Sequence, residues 1–100
     1  MGLSSAKAQM SLNLDQGSVN TMFCLYAKQN KPEQALNYLE NQKFVNRADI
    51  NHRDVSGWAA LHYSVLNKDT KFLLRLIRLK ADINVRGNRG ITPLLLASGR

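Results

Sequence analysis

Two histidines and a lone cysteine are the side chains of this 100-residue chain best suited to acid–base, metal or thiol chemistry. Zinc-type sites need several His, Cys or carboxylate ligands at short, defined spacings. His52 lies in the polar run 51–57, with no companion at such a spacing. A reactive thiol needs an accessible, cationic setting that favours the thiolate. Cys24 sits among Met22, Phe23, Leu25 and Tyr26, with only Lys28 one helical turn away, and reads as a small core-facing hydrophobe. No glycine-rich phosphate loop, nucleophile elbow or carboxylate pair occurs. The sequence therefore predicts no catalytic residue, no metal site and no cofactor; it does not read as an enzyme. Function then falls to surfaces, and surfaces depend on the elements that present them.

Those elements are repeated. Gly57-Trp58-Ala59-Ala60-Leu61-His62 returns thirty-three positions later as Gly90-Ile91-Thr92-Pro93-Leu94-Leu95. Ala48-Asp49-Ile50-Asn51 returns unchanged, at the same offset, as Ala81-Asp82-Ile83-Asn84, and Arg53 returns as Arg86. A fixed period of about 20–50 residues marks stacked units that bury their apolar faces against their neighbours.

Taken in order, residues 1–18 are small and polar and read as a flexible leader. Helical pattern begins near Val19 and ends at Gln29-Asn30-Lys31. Pro32 suits the first turn of a second helix, where its missing N–H is not needed, and Glu33 suits the positive end of the helix dipole. Ala35, Leu36 and Leu39 give that helix a narrow apolar stripe. Aligning Ala27 with Ser64 gives an offset of 37 for the helices, so about four extra residues are expected between Glu40 and Arg47. A turn over 51–57 precedes a helix near 59–67. Asp69 is a good cap for the next, near 70–79. Phe72, Leu73, Leu74, Leu76, Ile77 and Leu79 cover more than half of its circumference, so it needs neighbours on several sides. Thr92 and Pro93 open a last helix, with Thr92 as cap.

At these residues the chain resembles the ankyrin repeat family, whose unit is a turn followed by two antiparallel helices with the signature T-P-L-H-x-A. One copy here keeps Gly57 and Leu61-His62; the other keeps Gly90, Thr92-Pro93-Leu94 and Ala97. The closing pattern G-A-D-V-N appears as Lys80-Ala81-Asp82-Ile83-Asn84. The resemblance implies an all-α ankyrin-repeat solenoid of helix-turn-helix units joined by hairpin-like turns. It would hold about two full repeats and a partial third, over 19–51, 52–84 and 85–100. It makes His62 a structural histidine, although its Thr partner is replaced by Ala59. Arg47 and Lys80 stand where a glycine usually ends the second helix, and Arg75 stands where an apolar residue is usual.

The resemblance also implies function: a non-catalytic scaffold or adaptor that grips another protein with its turn tips and concave first-helix face. Carried over by motif position, that surface comprises Val55, Ser56, Trp58, Tyr63, Leu66, Asn67, Asn88, Arg89 and Ile91, with Trp58 as the composition-based anchor. An alternative is a basic surface for nucleic acid or another polyanion, through Lys68, Lys71, Arg75 and Arg78. The formal charge of +7 divides into +2 over residues 1–47 and +5 over 48–100; such an excess bears on association and solubility rather than fold. A third reading is an N-terminal regulatory or targeting piece of a larger ankyrin-repeat protein. One cysteine, and no apolar run near the roughly 20 residues of a membrane helix, point to an intracellular place, cytoplasmic or nuclear, with no membrane partner. Exposed Leu94, Leu95 and Leu96 are expected to permit self-association through the incomplete third unit.

Overall fold

A computed structural model describes residues 15–40 and 46–99. The leader expected over 1–18 lies outside the described residues up to position 14. Its last four positions, 15–18, are instead the cap and first turn of a helix. All regular structure among the described residues is helical: α1 Gln16–Lys28, α2 Pro32–Glu40, α3 Ala60–Leu66, α4 Thr70–Arg78 and α5 Pro93–Ser98, with a single 3-10 turn at Asn88–Gly90 before α5. None is long and apolar enough to cross a membrane.

Caps set the helix starts. α1 begins at Gln16 rather than near Val19, because Asp15 Oδ1 accepts the Ser18 N–H at 2.7 Å. That bond holds the Asp15 carboxyl below its ordinary pKa. Asp69 Oδ1 accepts from Phe72 N at 3.1 Å to start α4, and Thr92 Oγ1 accepts from Leu95 N at 3.2 Å to start α5. An oxygen-bearing cap of this kind stabilises a helix by about 1 kcal/mol.

The ends of α1, α3 and α4 share one device. Lys31 N bonds Tyr26 O and Asn30 N bonds Ala27 O; Asp69 N bonds Ser64 O and Lys68 N bonds Val65 O. Ala81 N bonds Leu76 O and Lys80 N bonds Ile77 O. Each is a Schellman closure, which needs a left-handed residue just past the helix. Asn30, Lys68 and Lys80 occupy it with φ of 61°, 56° and 75°. Lys80 thus has the strained conformation expected where glycine is usual. Arg47 does not, since it is absent from the positive-φ residues among those described.

These closures also reset the alignment of the helix pairs. Lys31 matches Asp69, Tyr26 matches Ser64, and the Ala35 N to Lys31 O bond matches Leu73 N to Asp69 O. The helix offset is therefore 38, not 37. Ala48 N bonds Tyr38 O as Ala81 N bonds Leu76 O, so the extra length between helix and tetrad is five residues (38 less 33), not four. Sequence similarity alone misplaced it because Ala27 and Ser64 are both small.

α1 packs on α2 and α3, and α3 packs on α4 and α5. Phe23, Ala27, Ala35, Ala59, Ala60, Leu61, Phe72 and Leu76 form one buried cluster, flanked by Leu36, Leu39, Ile50, Trp58 and Leu73. Tyr26 stacks on Tyr38 between α1 and α2, with centroids 6.0 Å apart. Each large side chain so buried contributes about 1.5–3 kcal/mol. α4 departs from expectation: only Phe72 and Leu76 are buried, whereas Leu74 is 51% and Ile77 39% exposed. Its broad apolar arc meets protein on fewer sides than it could occupy.

Candidate functional site

The turn tips are built by one carboxylate and two glycines. Asp54 N donates to Trp58 O at 3.0 Å and Gly57 N to Asp54 O at 2.8 Å. One offset later, Gly87 N donates to Ile91 O at 2.7 Å and Gly90 N to Gly87 O at 3.0 Å. Gly57 and Gly90 hold the same left-handed corner, with φ of 84° and 73°. Asp54 Oδ1 accepts from Ser56 N and Trp58 N, and its other oxygen accepts the Tyr63 hydroxyl. Burial and that carboxylate push the Tyr63 phenol upward in pKa. Arg53 Nη1 reaches the Arg86 carbonyl at 2.9 Å and ties one tip to the next.

His62 locks the tips to the helices. Its Nδ1 accepts the Ala59 N–H at 3.1 Å, which leaves the ring proton on Nε2, and Nε2–H donates to Ile91 O at 2.7 Å. The Ala59 position has no side-chain cap, so His62 supplies the reciprocal half of a capping box in the absence of threonine. Burial lowers the His62 pKa below its ordinary 6.5; the bond to Ile91 O opposes this and the Arg53 charge assists it. The Trp58 ring lies 4.9 Å from the His62 ring, tilted by 56°. A neutral, buried, doubly bonded imidazole is a strut: it has no free nitrogen to give a metal or a substrate.

The nine residues assigned to partner binding divide accordingly. Val55, at 107% relative exposure, Ser56, Asn88 and Arg89 project from the tips. Trp58 and Ile91 are half-buried, one against His62 and the other with its carbonyl held by it. Leu66 is exposed on α3. Tyr63 is only 5% exposed, with its hydroxyl committed to Asp54; it positions the tip and does not present itself. Asn67 is half-buried and donates Nδ2–H to Ala27 O at 2.9 Å, fastening α3 to α1. All four cations assigned to polyanions are exposed, Lys68, Lys71, Arg75 and Arg78, and Arg75 Nη2 bonds both Glu40 oxygens at 2.9 Å.

Sequence reasoning missed four structural ties. Asn20 Oδ1 accepts from Asp49 N at 2.7 Å and Asn51 Oδ1 from Asp82 N at 2.8 Å. Cys24 Sγ, buried as expected, donates to His52 O at 3.4 Å, and burial raises its pKa to about 12. Cys24 stands at the helix position that His62 holds 38 residues later, and each reaches forward to the following turn. Gly87 is the fourth: a Cβ there would lie 2.7 Å from Gly57 O and 2.9 Å from His62 Cε1 and Nε2. Only the recurrence of Asn51 as Asn84 gave a signal in the sequence. Among the described residues no three His, Cys, Asp or Glu side chains gather as a metal site.

No family model matches the chain. It is 45% identical over 49 residues, 49% of its own length, to a protein of Acanthamoeba polyphaga mimivirus that bears the name of an ankyrin repeat protein. The chain spans only 7% of that relative. Helices as the regular structure of the described residues, with a stretch similar to an ankyrin repeat protein, are compatible with an ankyrin-like helical repeat.

Proposed function

We propose that this chain is a non-catalytic protein-recognition module. In this reading it is a solenoid of two helix-turn-helix units and an incomplete third, over about 19–51, 52–84 and 85–100, working inside the cell. The partner is another protein, held along the tips by Val55, Ser56, Asn88 and Arg89, with the open edge of Trp58 between them. The observation that carries the reading is the pairing of the tips: equivalent hydrogen bonds one offset apart, joined by Arg53 to Arg86 O, lie beneath exposed side chains. Rigid backbone beneath exposed side chains lowers the ordering cost of binding.

The test is affinity capture from cell extract, followed by titration of the captured protein against Val55→Asp and Arg89→Glu. Both positions are exposed, so folding is retained. Tenfold or greater weakening is expected for at least one; unchanged affinity for both removes the tips from the site. The polyanion reading is favoured by exposed Lys68, Lys71 and Arg78 and weakened by the Arg75–Glu40 pair. Binding to random DNA that falls steeply with salt would support it. The small share of the mimiviral relative that is covered supports the reading of a module within a longer protein.

A further inference from the structure

The paired tips differ at two aligned positions, and both differences add positive charge. Asp54 is matched one offset later by Gly87, and Ser56 by Arg89, while Arg53 is matched by Arg86. Residues 51–58 and 84–91 therefore hold three arginines and one acid. That acid is already engaged: Asp54 accepts from Ser56 N, Trp58 N and the Tyr63 hydroxyl. Arg53, Arg86 and Arg89 are all exposed. Among the described residues the ion pair formed joins Arg75 to Glu40, so the tip arginines are not spent on a carboxylate. Asp49 and Asp82, the nearest acids along the chain outside the tips, each accept a backbone N–H two residues on. Segments 1–14 and 41–45 contain no acid to cover the arginines.

The cations stand on one rigid surface. The tips touch, since a Cβ on Gly57 would lie 3.1 Å from Asn88 Cβ. Arg53 Nη1 donates to Arg86 O at 2.9 Å, which fixes one guanidinium beside the neighbouring tip while using only part of its fork of donors. Arg89 holds φ 59° and ψ 27°, a left-handed conformation that its counterpart Ser56 does not share. Asparagine or glycine would occupy that corner with less strain, and strain of this kind gathers at ligand-binding positions. Apolar groups stand between the cations: Val55 is fully exposed, and Trp58 and Ile91 are half-buried.

We propose that the tips bind an acidic segment of a partner protein, whose carboxylates meet Arg53, Arg86 and Arg89 and whose intervening apolar side chains meet Val55 and Ile91. The proposal rests on the reading of the tips as the binding edge and names the chemistry of what they hold. Planar guanidinium groups suit carboxylates, which they bind by paired hydrogen bonds. A nucleic acid offers anionic oxygens too, but single strands are also held by stacking of bases on aromatic faces. Trp58, the large aromatic of the tips, already packs on His62. Apolar groups set among the arginines favour a peptide.

The experiment is fluorescence anisotropy of the full chain with three labelled probes. They are a peptide in which Glu alternates with Val and Ser, the same peptide with Gln for every Glu, and a single-stranded DNA of equal charge. Saturable binding of the Glu peptide is expected at low ionic strength, where exposed charges are least screened. The Gln peptide should bind about tenfold more weakly, and Arg89→Asn and Arg86→Gln should each weaken the Glu peptide about tenfold. Arg89→Asn should leave the urea midpoint equal or higher, because asparagine tolerates the left-handed corner. Lys71→Gln, in the recess that Lys71 shares with Pro32 and Glu33, should leave Glu-peptide affinity unchanged. Four outcomes overturn the proposal: no saturable binding, equal affinity for the Glu and Gln peptides, indifference to both arginine variants, or tighter binding of the DNA that Arg89→Asn also weakens. If a captured protein partner still loses affinity on Val55→Asp while the Glu peptide shows no preference, the tips remain the binding edge and only their acidic ligand is refuted.

Discussion

Replacing Gly87 with alanine tests the tip-to-helix lock more sharply than any change in the core. Gly87 has φ −92° and ψ −150°, so alanine is not forced into a left-handed conformation there. The cost comes from neighbours. The new methyl would sit 2.7 Å from the Gly57 carbonyl oxygen and 2.9 Å from two atoms of the His62 ring. The carbonyl belongs to a corner with φ 84°, and the ring is held by Ala59 N and Ile91 O, so neither yields freely. Overpacking of this kind costs about 1–3 kcal/mol. Displacing His62 from Ile91 O adds about 1 kcal/mol for the lost bond. A total of roughly 2–4 kcal/mol is a large part of the ~5–15 kcal/mol that holds a small domain folded. Gly90→Ala is the control. Gly90 has φ 73° but nothing within 4 Å of its added Cβ, so it should lose only about 1–2 kcal/mol for the left-handed backbone. Urea unfolding followed by circular dichroism, with the fluorescence of Trp58 as a second probe, gives both numbers. A judgement from backbone angles alone ranks Gly90→Ala as the worse change; the packing ranks Gly87→Ala as the worse. If Gly87→Ala proves equal to or milder than Gly90→Ala, the account of His62 as a strut between helix and turn is refuted.

Two further outcomes follow from the same geometry. His62 has a folded-state pKa below its ordinary 6.5, so the unfolded chain takes up the proton first as pH falls. Its contribution is complete above about pH 6.5 and drains away as pH drops below that value; the urea midpoint should fall between pH 7.5 and 5.5, and His62→Gln should flatten that part of the profile. Lys80→Gly should raise stability by about 1 kcal/mol, because Lys80 holds φ 75° in a Schellman closure that glycine adopts without strain. A lower urea midpoint for that variant would show that the lysine side chain contributes more than its backbone costs.

What the one-dimensional pattern determined is periodic and local. The recurrence of Ala-Asp-Ile-Asn marked two equivalent stretches, and the structure gives them the same local bonds, Asn51 N to Asp49 Oδ1 and Asn84 N to Asp82 Oδ1. Asp69, Pro32 and Thr92 announced helix starts because capping depends on residues three apart in the chain. Cys24 read as buried because its neighbours are apolar.

What only the tertiary structure decided is long-range. Tyr63 was assigned to the partner surface and is buried instead, because its hydroxyl finds Asp54 nine positions back. Arg75 was assigned to polyanions and is held by Glu40, 35 residues away. Gly87 carries no signal in its own neighbourhood; it matters because Gly57 O and the His62 ring arrive against it in space. Ile50 and Ile83 sit in identical tetrads, yet one is half-buried and the other 55% exposed. Identical words in the chain have identical local geometry, but burial depends on what stands next in the stack, and that is a property of the neighbours rather than of the words.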